Sequence, residues 1–427
     1  MMYYKPTRRD FMRGTVASGA AAGLAMWKNT AASAARVVGA NERINLGLIG
    51  CGGRGRWIMQ NMVKPANANT ALVVIGDIWK LRQETYPAEA AEQYGLKPKM
   101  YTDYRRLLED PDVDAVIIAT PAHQHCRQTI DAVQAGKHVY VEKPIAPIAS
   151  DLPELNECND VVTASTLTVQ HGSQGVSCPA ARAVKDFIAT GTLGKLFRTE
   201  SIESLPVPYW IHYEGPETED ATNWAAFLHN RESRPFDAHQ HASWMGYHDF
   251  SSGAIGGWMS HFINTFHFVA GCGFPKAATA FGGRFALTND PRCDAPDQVT
   301  VVLEYDEGFH TQFVSHFGSA IGSESTLFMF EKGALRTRFG HDLGNPTFSS
   351  EGVDESIEPT KLLDFDPPYP GQAHVTNWFD CIRNSERPNA DMEFGYKQGI
   401  AVLLGDLAYT SGRRVVFDQE KREIHPA

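Results

Sequence analysis

The stretch RINLGLIGCGGRGRWIMQNM, residues 43–62, constrains the fold more than any other part of the chain. An apolar run over 44–49 leads into glycines at 50, 52 and 55, then into an amphipathic segment carrying Trp57, Ile58 and Met62. Strand, tight turn and helix in that order form the first part of a mononucleotide-binding unit. Gly50 permits the turn, Gly52 lets a pyrophosphate approach the backbone, and Gly55 allows close helix packing, while the helix N-terminus offers N–H donors. Gly53 and Arg54 complete this expected cofactor loop. Asp77 ends the next apolar run, 71–77, and stands 22 residues after Gly55. A carboxylate there accepts hydrogen bonds from ribose hydroxyls and repels a ribose phosphate, so NAD is expected over NADP, with Lys80 and Arg82 nearby softening the preference. Further apolar runs at 114–120 and 138–144, separated by helical patterns at 105–108 and 126–135, predict βαβ units and a parallel sheet.

Beyond about residue 165 the texture changes to longer strands with hairpin turns, at Asp306-Glu307-Gly308 and at Lys332-Gly333. Helical patterns at 373–383 and 397–411 close the chain. The expected fold class is α/β: an N-terminal Rossmann dinucleotide-binding domain over 43–165, then a C-terminal α+β substrate domain over 166–427 with a mainly antiparallel open sheet. With 427 residues, 43% hydrophobic and 21% charged, the chain is long enough for two full cores. Its net charge is −11, or −15 without residues 1–34, which hold five basic groups against Asp10. No basic run interleaved with aromatics remains, which excludes nucleic acid as an expected partner.

Those first residues carry their own message. Arg8 and Arg9 followed by Asp10-Phe11-Met12 precede an uncharged, mildly apolar stretch over 14–27 and then AASAA, a small-residue cleavage site near Ala34. This order matches a twin-arginine export signal over 1–34 with a linker over 35–42, and makes the twin-arginine translocase a transient partner and the periplasm the destination. Seven cysteines stand singly at 51, 126, 158, 178, 272, 293 and 381, with no C-x-x-C for a metal or redox pair.

The segment YTDYRRLLEDPDVDAVIIATPAHQHCRQTIDAVQAGKHVYVEKPIA, 101–146, closely resembles the Gfo/Idh/MocA oxidoreductases, the family of glucose-fructose oxidoreductase and inositol dehydrogenase. The likeness extends through GTLGKL at 191–196 and the closing residues from His374. The resemblance implies that Thr120, Pro121 and His125 flank a nicotinamide, and that Glu142-Lys143-Pro144 is the family's Glu-Lys-Pro signature. Lys143 would then touch both cofactor and substrate. The residue itself agrees with that role. A lysine at the carboxyl end of a parallel strand projects into the ligand crevice, and partial burial lowers its pKa toward that of a usable acid or base.

The family's second signature is an Asp followed four residues later by His on one helix. Here His261 holds the histidine position while Gly257 stands where the Asp belongs, so His261 lacks the carboxylate that would orient it. Asp249, Asn264 or the substrate itself are the candidates to fill the gap. Gln174, Tyr209, Trp244 and Tyr247 are grouped with Lys143 and His261 as substrate-binding residues. Aromatic faces interleaved with polar groups suit a sugar ring, and equally suit an ordinary aromatic core. His239-x-His241 with His248 supplies no recognised metal set, so no metal is expected.

A nicotinamide enzyme outside the cytosol cannot exchange its spent cofactor. The expectation is therefore an exported NAD(P)-dependent oxidoreductase with retained NAD, acting on a sugar, polyol or glycoside hydroxyl, as a homo-oligomer. A redox-neutral NAD-dependent glycosidase or lyase is the alternative within enzymes. A non-catalytic sugar- or cofactor-binding protein is the alternative outside them.

Overall fold

The computed structural model describes residues 43–286, 290–320, 325–338, 343–350 and 358–427. The expected signal and linker, 1–42, lie outside the described residues. The first sheet has six parallel strands in the order β3-β2-β1-β4-β5-β6: β1 Ile44–Ile49, β2 Thr70–Gly76, β3 Lys99–Tyr101, β4 Ala115–Ile118, β5 His138–Val141 and β6 Val169–His171. The strand order reverses direction between β1 and β4, and ligands of open α/β sheets bind outside the carboxyl ends of the strands at such a point. The crossover helices include Lys80–Tyr94, His125–Gln134 and Leu152–Thr163. β4 and β5 are buried at every residue, as helices on both faces of a parallel sheet require.

The sheet runs past the boundary expected at 165, because β6 pairs with β5 as its last strand. The first domain also recruits a helix from the far end of the chain. Val375, Trp378, Phe379 and Ile382 lie on one stripe of the helix Gly371–Asn384 and pack with Ile44, Leu46, Met62 and Tyr140. This helix shares the cover of that sheet face with Ile58, Met62 and Tyr86 from nearer segments.

The second sheet has ten strands in the order β14-β13-β12-β11-β7-β10-β9-β8-β15-β16. They are β7 Leu196–Leu205, β8 Pro275–Gly283, β9 Gln298–Tyr305, β10 Phe309–Phe317, β11 Ser325–Phe330, β12 Gly333–Arg338, β13 Thr347–Ser349, β14 Thr360–Lys361, β15 Val415–Asp418 and β16 Glu423–Pro426. Both expected hairpins form, β9 with β10 and β11 with β12, and among the described residues only the β7–β10 pair of this sheet is parallel. Burial alternates along β9, β10 and β11, so one face carries the core: Val301, Phe313 and Phe328 meet Phe262 and Phe266 of the helix Ser260–Ala270 and Leu403 of the helix Met392–Ser411. All seven cysteines are buried thiols. Among the described residues no helix is long and apolar enough to cross a membrane.

Candidate active site

The glycine loop leaves β1 at the point where the strand order reverses. Gly50 has φ +90°, and a Cβ there would lie 2.8 Å from the Ala119 carbonyl oxygen. A Cβ at Gly55 would lie 2.1 Å from the Gly50 carbonyl oxygen, so the helix Gly53–Ile58 can approach the turn only without one. Gly52 and Gly53 differ, for nothing stands within 4 Å of a Cβ at either. Packing does not demand glycine there, and the open space is a cradle of the kind a pyrophosphate occupies. Asp77 sits at the rim. Its Oδ2 accepts from Cys51 N at 2.7 Å and its Oδ1 from Trp79 N at 2.8 Å, so the carboxylate is aimed and fixed beside the loop. Burial raises its pKa, against the pull of those two donors. Cradle and fixed carboxylate together fit an NAD dinucleotide.

Beyond β5 the chain turns through Glu142, Lys143 and Pro144, with the Lys143–Pro144 peptide bond cis. Glu142 is 4% exposed and accepts from Arg54 Nη2 and Gln174 Nε2, each at 2.9 Å. Burial pushes its pKa up, but the Arg54 charge and hydrogen bond outweigh that and hold it below the usual carboxylate range. Arg54, stacked 4.8 Å over the Trp57 ring, thus ties the glycine loop to the end of β5. Lys143 Nζ donates to the Gly257 carbonyl oxygen at 2.6 Å. Burial lowers its pKa to about 8, against the pull of Glu142. His125 is buried with Nδ1 2.8 Å from the Pro144 oxygen and Nε2 2.9 Å from the Thr120 oxygen, and burial lowers its pKa. It braces the two turns that carry Thr120-Pro121 and Lys143. Thr120 and Pro121 themselves are partly exposed at the carboxyl end of β4.

The second domain brings two of the expected residues to Lys143. Gly257 lies in a π-helical turn, Ile255–Met259, that runs into the helix bearing His261. A Cβ on Gly257 would fall 1.9 Å from Tyr209 Oη, and Trp258 packs against both Tyr209 and His261. Lys143, Tyr209 and His261 therefore converge on one turn.

Other expected substrate residues are placed elsewhere. Gln174 is 1% exposed behind Glu142, with Nε2 also 2.5 Å from the Tyr140 hydroxyl, so it supports the Glu142 carboxylate from inside the protein. Trp244 and Tyr247 pack with Ile78 against Trp224, Phe227, Leu228 and Phe250, which makes them part of a satellite core. Asp249 pairs with Arg234 at the surface, and Asn264 is 2% exposed inside its helix, so neither is seen to supply the missing carboxylate. His239 meets Tyr247 and Asp290 while His241 stacks on Phe227, so the two rings diverge. Among the described residues no group of three His, Cys, Asp or Glu could hold a metal ion.

One feature of the site is absent from any sequence motif. Residues 222–231 of the second domain strap across the first. Thr222 pairs with Trp79, Asn223 N donates to the Ile78 oxygen at 3.2 Å, and the Phe227 oxygen lies 2.6 Å from His123 Nε2 and accepts from Gln124 Nε2 at 3.0 Å. Arg231 then forms a buried two-point ion pair with Asp151, at 2.7 and 2.9 Å. The strap thus joins the turn after β2, which carries Asp77, to the turn after β4. These contacts fall on main-chain groups of the strap, met by the His123 and Gln124 side chains and by the main chain at Ile78 and Trp79.

Comparison with known proteins agrees with this architecture. The profile of an oxidoreductase family with an NAD-binding Rossmann fold matches residues 44–171, and that of the GFO/IDH/MocA C-terminal domain matches residues 224–336. The chain belongs to the Gfo/Idh/MocA oxidoreductase family. It is 24% identical over 375 residues to scyllo-inositol 2-dehydrogenase (NAD(+)) of Bacillus subtilis, covering 84% of this chain and 93% of that protein. It is 30% identical over 181 residues to a glycosyl hydrolase family 109 protein of Solibacter usitatus, covering 41% and 40%. The chain spans about half the length of several curated relatives it matches. A levoglucosan dehydrogenase solved with NADH and levoglucosan shares the fold, with TM-score 0.65, 18% identity, and coverage of 88% of this chain and 99% of that one.

Proposed function

We propose that this chain is an exported oxidoreductase that keeps its NAD bound and acts on a hydroxyl-bearing carbon of a sugar, polyol or glycoside. One observation carries the reading: a desolvated lysine amine at the carboxyl edge of a dinucleotide-binding sheet, facing a second domain that brings a tyrosine hydroxyl and a histidine to the same turn. Gly52, Gly53 and Asp77 would hold the pyrophosphate and ribose, and Thr120 and Pro121 would flank the nicotinamide. When bound, the dinucleotide supplies a hydride acceptor or donor. Lys143 supplies the proton site, taking a proton from the substrate hydroxyl as a free amine and returning one as an ammonium. His125 and the Glu142–Arg54 pair hold that amine in place. Sugar and inositol dehydrogenases among the relatives support this substrate class.

Retention of the dinucleotide is supported by the strap, because residues 222–231 bridge the two turns between which an adenosine would lie. Export rests on the leader sequence, and assembly as a homo-oligomer belongs to the same proposal. The glycosyl hydrolase relative favours a second reading, in which oxidation is transient and the hydride returns after a glycosidic bond is cleaved. The test is single-turnover absorbance of the bound nicotinamide on mixing with a panel of polyols, sugars and glycosides. Lasting reduction supports the dehydrogenase, while cleavage without lasting reduction supports the second reading. No response to any compound would overturn both.

A further inference from the structure

Gly257 has no side chain, yet its side-chain volume is filled. A Cβ there would lie 1.9 Å from Tyr209 Oη and 2.9 Å from Tyr209 Cζ. The tyrosine arrives from the short turn Tyr209–His212 that follows β7, 48 residues earlier in the chain (257 minus 209). Its ring is clamped edge-on by Trp210, Trp258 and Phe317, at centroid distances of 5.2, 5.7 and 5.7 Å, so the hydroxyl end has little freedom. The hydroxyl donates to the Gly253 oxygen at 3.1 Å, the same carbonyl that accepts Gly257 N at 2.8 Å. On the other side of Gly257, its carbonyl oxygen accepts Lys143 Nζ. One residue is thus touched on its carbonyl by the candidate base and on its α-carbon by a tyrosine hydroxyl.

We propose that Tyr209 is a substrate-contacting residue whose hydroxyl takes the place of a side chain at position 257, hydrogen-bonding the sugar or polyol hydroxyl that Lys143 deprotonates. The inference rests on the oxidoreductase reading above. A hydroxyl suits the task because its one proton can turn from the Gly253 oxygen, which keeps Gly257 N as a donor, to the alcohol oxygen, while the alcohol proton points to the amine. Being neutral, it also leaves Lys143 free of a second acidic neighbour. The charged groups facing Lys143 are Glu142 and Arg54, and the titratable group facing Tyr209 is Tyr213. Burial keeps the Tyr209 hydroxyl protonated well above its ordinary range.

Three variants of the full chain with its bound NAD test this: Tyr209→Phe, Gly257→Ala and the swap Tyr209→Ala/Gly257→Asp. The measurements are NAD content, calorimetric binding of the compounds that reduce the wild-type cofactor or bind to it, and the pH profile of single-turnover reduction. Tyr209→Phe is expected to keep its NAD and lose about 10-fold in kcat/KM or in binding, on the scale of one hydrogen bond. Gly257→Ala, which pushes the hydroxyl aside, is expected to reproduce that loss and serves if Tyr209→Phe fails to fold. The swap returns the polar group to the helix as a carboxylate, and is expected to recover part of the loss while adding an acid limb near pH 4 to the wild-type profile. Wild-type binding and turnover in Tyr209→Phe or, failing that, Gly257→Ala would overturn the inference alone. If the wild type binds no sugar or polyol, both the inference and the reading beneath it fall.

Discussion

Lys143 is held where its amine gives up a proton near neutrality. Burial at the carboxyl end of β5 disfavours the ammonium, Glu142 favours it, and the balance lies at about 8. The sign follows directly. The free amine accumulates as pH rises through 8, so the single-turnover rate of alcohol oxidation should climb with pH and level off above 8, while carbonyl reduction should fall over the same range. Lys143→Met keeps the stem and removes the proposed proton site. It should leave NAD content unchanged, cut turnover at least ~100-fold and abolish that limb, read as nicotinamide absorbance against pH. At the other end of the crevice, Asp77→Ala removes the proposed ribose acceptor and releases Cys51 N and Trp79 N together. Titration of NAD and NADP should show weaker NAD binding and a smaller difference between the two. The bare position at Gly257 was legible in the sequence, but its filling was not. Tyr209 reaches it through tertiary packing, which no local spacing records.

Among elements, those that formed as expected are those whose pattern is their own. β9 and β10 alternate with period two about a tight turn, and β1 runs into a loop whose Gly50 and Gly55 leave no room for a Cβ. β6 and the helix Gly371–Asn384 escaped the expected domain boundary because membership of a sheet or core is decided by partners far along the chain. The strap over 222–231 escaped for a further reason: its main-chain oxygens and N–H groups bind the first domain, and main-chain groups are the same at every residue. Its one strong side-chain fastening is Arg231 on Asp151. Arg231→Met leaves Asp151 buried and unpaired, which should destabilise the fold by about 3 kcal/mol. If the strap caps the dinucleotide, the variant should also lose NAD on gel filtration well below its melting temperature, where the wild type keeps it. A destabilised variant that still retains NAD would separate the strap from retention.

At the scale of the whole molecule, the two domains are joined by the strap, by the helix Gly371–Asn384, which crosses back to the first core, and by the helix Met392–Ser411, whose Tyr396 and Asp406 bond Asn156 and Ala149 of the first domain. If a dinucleotide lies between the glycine cradle and the strap, its release would require Arg231 and Asp151 to part, which would couple cofactor and fold. On the export proposal, that coupling would matter in transit. NAD is made inside the cell, and a chain threaded unfolded through a membrane would reach the periplasm with neither strap nor cofactor in place. The twin-arginine route carries folded proteins, so Arg8 and Arg9 are expected to deliver the enzyme already loaded. In cells expressing the full chain, the periplasmic fraction should contain the processed protein with stoichiometric NAD, measured by the absorbance of acid-released nucleotide. Arg8→Lys/Arg9→Lys should leave a loaded, unprocessed chain in the cytosol. A wild-type protein that reaches the periplasm empty, and responds to sugars only when NAD is added, would end the retained-cofactor proposal while leaving the oxidoreductase site intact.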